Sequence, residues 1–352
     1  MTGTADQEDR VTASGQPSSG QRLLDRAGFG QHRPSGRQLT GVAERWALFV
    51  LFVMMLVVFS LTANGFDNSQ NLQVLVGSQA PMVVLAIAAM VPLVVGQFDL
   101  SVAAIAGTAG IAMVSAITRF HLPLVPAILI ALVISALIGA FNGYLVAFVG
   151  LNAFIVTLGV STVLQGVVQG YTGGSVLPGN GIGWLSNSLS GNEGGIPKGV
   201  FWFLPVALVA WYLLEQTPFG RHLRSIGSNA GAAQLLGIRT RTLTFSTFVA
   251  SGLLGGLTGI LITAQSGSAD PAVAAGGDLL SALAAAFLGA SVFLPGLFNV
   301  AGTVLAIFFV AVLVDGLQFL GAQDWTSPVI DGAVLIGAIT VSSMLRRERA
   351  GR

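Results

Sequence analysis

Ten apolar stretches of 16 to 27 residues run through the chain with little interruption, and they decide what it can fold into. They lie at roughly 47–65, 74–95, 100–118, 123–149, 152–170, 200–216, 243–264, 279–294, 299–320 and 327–345. A helix rising about 1.5 Å per residue needs about 20 apolar residues to cross about 30 Å of hydrocarbon. The spacing therefore predicts an all-α, polytopic membrane protein of about ten transmembrane helices. A soluble alternative fails on charge: 9% of the residues are charged, against roughly 25% in soluble domains.

Three segments surround or interrupt these stretches. Residues 1–42 are rich in Gly, Ser, Gln, Arg and Asp without apolar periodicity, and read as a disordered tail that cannot repay its ordering entropy. Residues 43–346 form the expected membrane domain, with an amphipathic loop at 217–241, and 347–352 form a short C-terminal tail. The first apolar stretch lies too deep to be a cleaved signal peptide, so it is expected to stay as an anchor.

Basic residues fix the expected orientation, because Lys and Arg of short loops stay on the cytoplasmic side. Six arginines precede the first stretch, four (Arg221, Arg224, Arg239, Arg241) lie between the sixth and seventh, and four follow the last. An even number of crossings puts all fourteen on one side with both termini cytoplasmic, and leaves Arg119 and Lys198 opposite. The opposite face collects Asp67, Glu193, Asp270, Asp278, Asp315, Asp324 and Asp331 and is acidic.

A faint internal echo accompanies this layout. Asp99-Leu100-Ser101 opens the third stretch, and Asp278-Leu279-Leu280-Ser281 opens the eighth, five stretches later. An odd offset inverts the second copy, as in two five-helix halves of inverted topology. A chance match in an Ala- and Gly-rich chain is the competing explanation.

Small residues are dense within the stretches, including Gly107, Gly110, Gly159, Gly289 and the pairs Gly139-x-x-x-Gly143 and Gly252-x-x-x-Gly256. Helices in lipid associate by close backbone approach over such residues, so packing is the expected role. A gap that changes width during transport is the alternative. Polar groups at membrane depth are costly unless partnered or wetted. Gln79, Asn142, Asn152, Gln165, Asp315 and Asp331 are such groups, and Pro81 and Pro92 are positioned to bend the second stretch. Asp99 is positioned to cap the third stretch.

Several chemistries are excluded. The chain has no cysteine, and His32, His121 and His222 are too scattered for a metal cluster. It has no G-x-x-x-x-G-K-[ST] run to cradle ATP phosphates, no H-E-x-x-H and no G-x-S-x-G. No enzyme activity, no bound cofactor and no nucleic-acid partner are expected. One rival transport reading is ion-coupled, with Asp99, Asp315 and Asp331 as coupling carboxylates.

Motifs in order along residues 80 to 340 resemble the permease subunits of ribose, xylose and galactose ABC importers, within the branched-chain-type permease family. Gly96-Gln97-Phe98-Asp99-Leu100-Ser101 is similar to G-G-I-D-L-S, and Asn152-Ala153-Phe154-Ile155-Val156-Thr157-Leu158-Gly159 to P-A-F-I-V-T-L-G. Tyr171-Thr172-Gly173-Gly174 resembles L-T-G-G, and Thr217-Pro218-Phe219-Gly220-Arg221 resembles T-x-F-G-R. The run from Ile226-Gly227 through Ala232-Ala233 to Gly237-Ile238 is similar to I-G-G-N-x-E-A-A-x-x-x-G-I, and Ile330 to Leu335 to V-I-x-G-x-x-L. The chain departs from the pattern at Gln97, Phe98, Asn152 and Gly231, and across Leu294 to Asn299.

The resemblance implies a bacterial plasma-membrane importer of a sugar or polyol. Its ATP is used by a separate ATPase subunit, an extracytoplasmic sugar-binding protein delivers the substrate, and a second permease chain completes the unit in the lipid bilayer. Gln79, Gln97, Phe98, Asp99, Asn152, Phe154 and Gln165 are then the expected path residues. Gly227, Asn229, Ala232, Ala233, Leu236, Gly237 and Ile238 are the expected ATPase-coupling residues. For the loop alone, an interfacial helix lying on anionic lipid is the plainer reading.

Overall fold

The computed structural model describes residues 37–350, with side chains from Trp46 to Thr340. The expected tail lies, through residue 36, outside the described residues. The chain divides into Met1–Val42 and Ala43–Arg352, and the architecture below is that of the second unit.

All ten apolar stretches are helical. Helices α1 (Arg37–Thr62), α2 (Ser69–Ser78), α3 (Ala80–Val94), α4 (Val102–Thr118), α5 (Leu124–Tyr144) and α6 (Ala153–Thr172) form the first part. A short helix α7 (Gly183–Leu189) precedes α8 (Lys198–Trp211), then α9 (Pro218–Ser228) and α10 (Ala230–Leu235). The last part holds α11 (Thr240–Ser266), α12 (Gly277–Gly289), α13 (Val300–Phe319) and α14 (Thr326–Ala350). Two-residue ladders are the β-structure among the described residues: Leu177–Pro178 against Ser268–Ala269, and Asn192–Glu193 against Ile196–Pro197.

Among the described residues six helical segments are long and apolar enough to cross a bilayer: Ser69–Val94, Leu124–Val149, Ala153–Thr172, Lys198–Gln216, Thr240–Ser266 and Val300–Phe319. Two apolar helices are shorter, Val102–Thr118 and Gly277–Gly289, and Trp46–Thr62 and Thr326–Thr340 are the apolar parts of α1 and α14 among the described residues. The chain is an all-helical, polytopic membrane protein.

The short α12 has a physical cause. Non-helical backbone at membrane depth persists where protein surrounds it and satisfies its polar groups. Helix α12 ends at Gly289, and the turns that follow are folded around Asn299. The Asn299 Nδ2 donates to the carbonyls of Gly289 (3.0 Å), Val292 (3.0 Å) and Leu297 (3.2 Å), and its Oδ1 accepts from Gly302 N (2.7 Å). The second stretch is interrupted once, and Pro92 lies inside α3 without ending it. The helix breaks at Gln79, two residues before Pro81, where proline restricts its predecessor and offers no amide.

Helix α3 is buried on nearly every side, as a uniformly apolar helix must be. It packs chiefly against α11 and α12, while α4 packs chiefly against α11 and α5. Helices α5 and α11 meet through both expected glycine pairs. A side chain at Gly139 would collide with the Phe248 carbonyl and Gly252, and one at Gly252 with the Ser135 carbonyl and Gly139. Gly107, Gly110, Gly255, Gly256, Gly259, Gly289 and Gly302 are equally close to neighbours. Gly159 is not: with Gly166 and Gly170 it opens one face of α6 to empty space.

Candidate functional site

The loop between α3 and α4 turns its polar residue inward. Gly96 takes a left-handed φ of 78°, reversing the chain, and Asp99 becomes fully buried. Asp99 Oδ1 accepts from the Ser101 amide (3.0 Å) and the Ser101 hydroxyl (2.6 Å), and Oδ2 accepts from the Ser251 hydroxyl of α11 (2.8 Å). Asn142 of α5 donates through Nδ2 to Ser101 Oγ (2.8 Å). Thr157 Oγ1 of α6 accepts from Leu100 N (3.1 Å). One seven-residue connection is thus tied to three helices far away in sequence.

Asp99 does not cap α4 as expected: the cap position is Ser101, and no side chain bonds the first-turn amides. Its amide partner is Ser101, two residues on, and the remaining bonds go to hydroxyls. Buried acceptors need donors of this kind, and hydrogen bonds to a charged group are the stronger class. Among the described residues the ion pair formed is Lys198–Glu193, so Asp99 has no cation beside it.

The other expected path residues divide. Phe98 is partly exposed and stands 6.2 Å from Phe287, which meets Phe298 edge-on at 5.4 Å. Gln97 is half-buried beside it. Asn152 caps α6, its Oδ1 accepting from Phe154 N (2.9 Å) and Ile155 N (3.4 Å), and Phe154 is exposed on the first turn. Because Thr157 fastens α6 to this loop, Gln97, Phe98, Asp99, Asn152 and Phe154 gather around the start of α6. Gln165 lies further along α6, donating to Ser161 Oγ at 3.3 Å. Gln79 does not join them: it sits at the opposite end of α3, about 22 Å away at helical rise.

Ser101, Ser251 and Thr157 complete the loop's bonding and were not singled out from the sequence. A signal existed for Ser251. It lies four residues before Gly255 and eight before Gly259, on the stripe that faces α4.

The amphipathic loop forms α9 and α10. Helix α9 buries Gly220, Leu223 and Ile226. A side chain at Gly227 would collide with the Val94 carbonyl, and one at Gly96 would come within 4.0 Å of Gly227. The loop therefore rests directly on the end of α3, where the Asp99 connection begins. Asn229 caps α10 by accepting from Ala232 N (2.9 Å), and Gly237 leaves it with φ 79°. Ala233 is buried and Ile238 packs on the core, whereas Ala232 is exposed and Leu235 and Leu236 are 90% and 81% exposed. Nε and Nη2 of Arg224 are buried without a hydrogen-bond partner.

At the start of α12, Ser281 donates to Asp331 of α14, and Asp278 lies beside the same carboxylate. Asp315 accepts from Asn71 of α2 at 2.9 Å.

Residues 72–339 match the family described as "Branched-chain amino acid transport system / permease component". The chain belongs to that family. It is the permease component of an ABC importer and not itself an enzyme; the family has no cofactor. The family works with an ATPase and a binding protein, and this membership sets aside the ion-coupled reading. The ribose import permease protein of Haemophilus influenzae is 27% identical over 303 residues, covering 84% of this chain and 92% of its own. The ribose import permease protein of Escherichia coli is 29% identical over 306 residues, covering 85% and 94%. The autoinducer 2 import system permease protein of Salmonella choleraesuis is 30% identical over 305 residues, covering 86% and 87%. No solved structure matches. Among the described residues no three His, Asp or Glu side chains form a group able to hold a metal ion.

Proposed function

We propose that this permease carries a sugar or sugar-like polyol across a bacterial plasma membrane, through ten crossings with both termini cytoplasmic. The substrate class follows the relatives named for ribose import. A path lined by carboxamides and hydroxyls suits a neutral polyhydroxy solute better than a charged one. The open glycine face of α6 and the cluster Gln97, Phe98, Asn152 and Phe154 form this chain's share of the path, and a second permease chain supplies the other share.

Helices α9 and α10 dock a separate ATPase subunit, and an extracytoplasmic sugar-binding protein delivers the solute to the acidic face. One observation carries the coupling: Gly227 is seated on the end of α3, at the root of the Asp99 loop. A push on α10 thereby reaches α4, α6 and α11 without a flexible joint. Gly227, Ala233 and Ile238 hold the segment to the body, Asn229 and Gly237 shape its ends, and Ala232 and Leu236 face the partner. Motion of such a packed unit between two arrangements is a two-state switch that ATP binding can bias.

Two five-helix halves of inverted topology account for the packing. Helices α3 and α11 contact each other, α4 packs on α11 as α12 packs on α3, and α6 packs on α4 as α14 packs on α12. The two Asp-Leu motifs stand at matching places, before α4 and at the start of α12.

The test is co-purification and uptake. Leu236→Asp places a charge on the docking face and should abolish retention of the ATPase subunit and uptake of labelled ribose or allose, with membrane insertion intact. Full ATPase retention by that variant, or uptake of leucine in place of any sugar by the unaltered protein, would overturn the reading.

A further inference from the structure

A groove of about 640 Å³ lies between α4, α5 and α6 at the end of α4, within the range of about 300–1,000 Å³ that holds a mid-sized organic ligand. Its walls are mainly aliphatic, with Ile111, Ile130, Ile134 and Val167 prominent. Two features distinguish it from a bare apolar cleft. Ser115 lines it, and its hydroxyl is buried there without a hydrogen-bond partner among the described residues. Its neighbours on the same helix do not share that state: Thr108 and Thr118 donate to the carbonyls of Ala104 and Val114 at 2.7 and 2.8 Å. A buried unpaired hydroxyl is costly, so an acceptor is expected from whatever fills the groove.

The second feature is at the mouth. Arg119, the residue after α4, lies over the Tyr171 ring at 4.3 Å and forms no ion pair among the described residues. Phe120 and Tyr171 are exposed there, as aromatic residues are at the boundary between hydrocarbon and headgroups. A guanidinium at such a boundary is placed to meet lipid phosphates, and Ser115 lies one turn back along α4, about 6 Å away at helical rise. A glycerophospholipid has the same order, with its ester carbonyls below its phosphate and its acyl chains below those. A sugar does not fit: most of its hydroxyls would face aliphatic walls unpaired.

We propose that this groove binds one anionic glycerophospholipid. Its phosphate pairs with Arg119, an ester carbonyl accepts from Ser115 Oγ, and one acyl chain lies along Ile111, Ile130, Ile134 and Val167. The lipid belongs to the leaflet at which α4 ends, and the proposal does not depend on the transported substrate or on the direction of insertion. Bound there, it props α6 against α4 and α5, so it can tune the helix with the open glycine face.

The experiment uses the full-length permease in nanodiscs of mixed phosphatidylglycerol and phosphatidylcholine, followed by native mass spectrometry. One phosphatidylglycerol should be retained in preference to phosphatidylcholine by about fivefold, as one cation near a lipid surface provides. Arg119→Gln should erase the preference, and Ser115→Ala should weaken retention of both lipids. Ile134→Trp should fill the groove and expel the lipid without loss of helical circular dichroism. Equal retention of the two lipids by the unaltered protein would overturn the proposal, as would an unchanged preference in Arg119→Gln. So would efficient crosslinking of Ile134→Cys between two copies of the chain, which would put a second permease in the groove.

Discussion

The connections that open α4 and α12 carry nearly the same residues and use them differently. Asp99 and Ser101 are two apart, outside a helix, so the serine folds back on the carboxylate. Asp278 and Ser281 are three apart and inside α12, so both project from one face toward α14. The first arrangement is closed: the carboxylate is fully buried, and α11 completes its bonding through Ser251. The second is open. Asp278 is exposed, and its serine serves Asp331 instead. One inserted leucine separates a lock that joins four elements from a pair of like charges on two packed helices.

The largest expected effect comes from breaking the lock. Asp99→Ala strips the acceptor from Ser101 and Ser251 in a buried site, and should lower stability by about 3 kcal/mol or more. Thermal unfolding of the purified permease measures it, and a midpoint unchanged from the unaltered protein would refute the bonding described. Ser251→Ala removes one donor and should cost about 1–2 kcal/mol. Ser281→Ala at the open end should cost no more than about 0.5 kcal/mol.

The smallest effect should have the opposite sign. Asp278→Asn relieves repulsion with Asp331 and should leave the unfolding midpoint equal or slightly higher. Repulsion between exposed charges is screened by salt. Added salt should therefore raise the midpoint of the unaltered protein more than that of Asp278→Asn, and an equal response would show that the two carboxylates do not interact.

Much of the fold was legible because hydropathy marks every element that lipid must surround. The ten stretches, the interruption before Pro81 and the glycine pairs on α5 and α11 needed no knowledge of partners. The bonding of Asp99 was not legible, since Asn142 and Ser251 lie 41 and 152 residues from the groups they meet. Serines on glycine-rich helices are too common to choose among. Asn152 carried a local cap signal, polar residue before helix, yet read from its motif it belonged to the path; the structure gives it both the cap and a place near the loop. Gly159 read like the packing glycines, and only its empty surroundings separate it from them.

The absence of cysteine makes the central claim directly measurable. A single cysteine introduced as Leu236→Cys reports which side of the membrane α10 faces and whether a subunit covers it. The account predicts no reaction with an impermeant maleimide in intact cells, reaction in inverted vesicles, and protection there when the ATPase subunit is present. Rapid labelling of that cysteine from outside intact cells would contradict it.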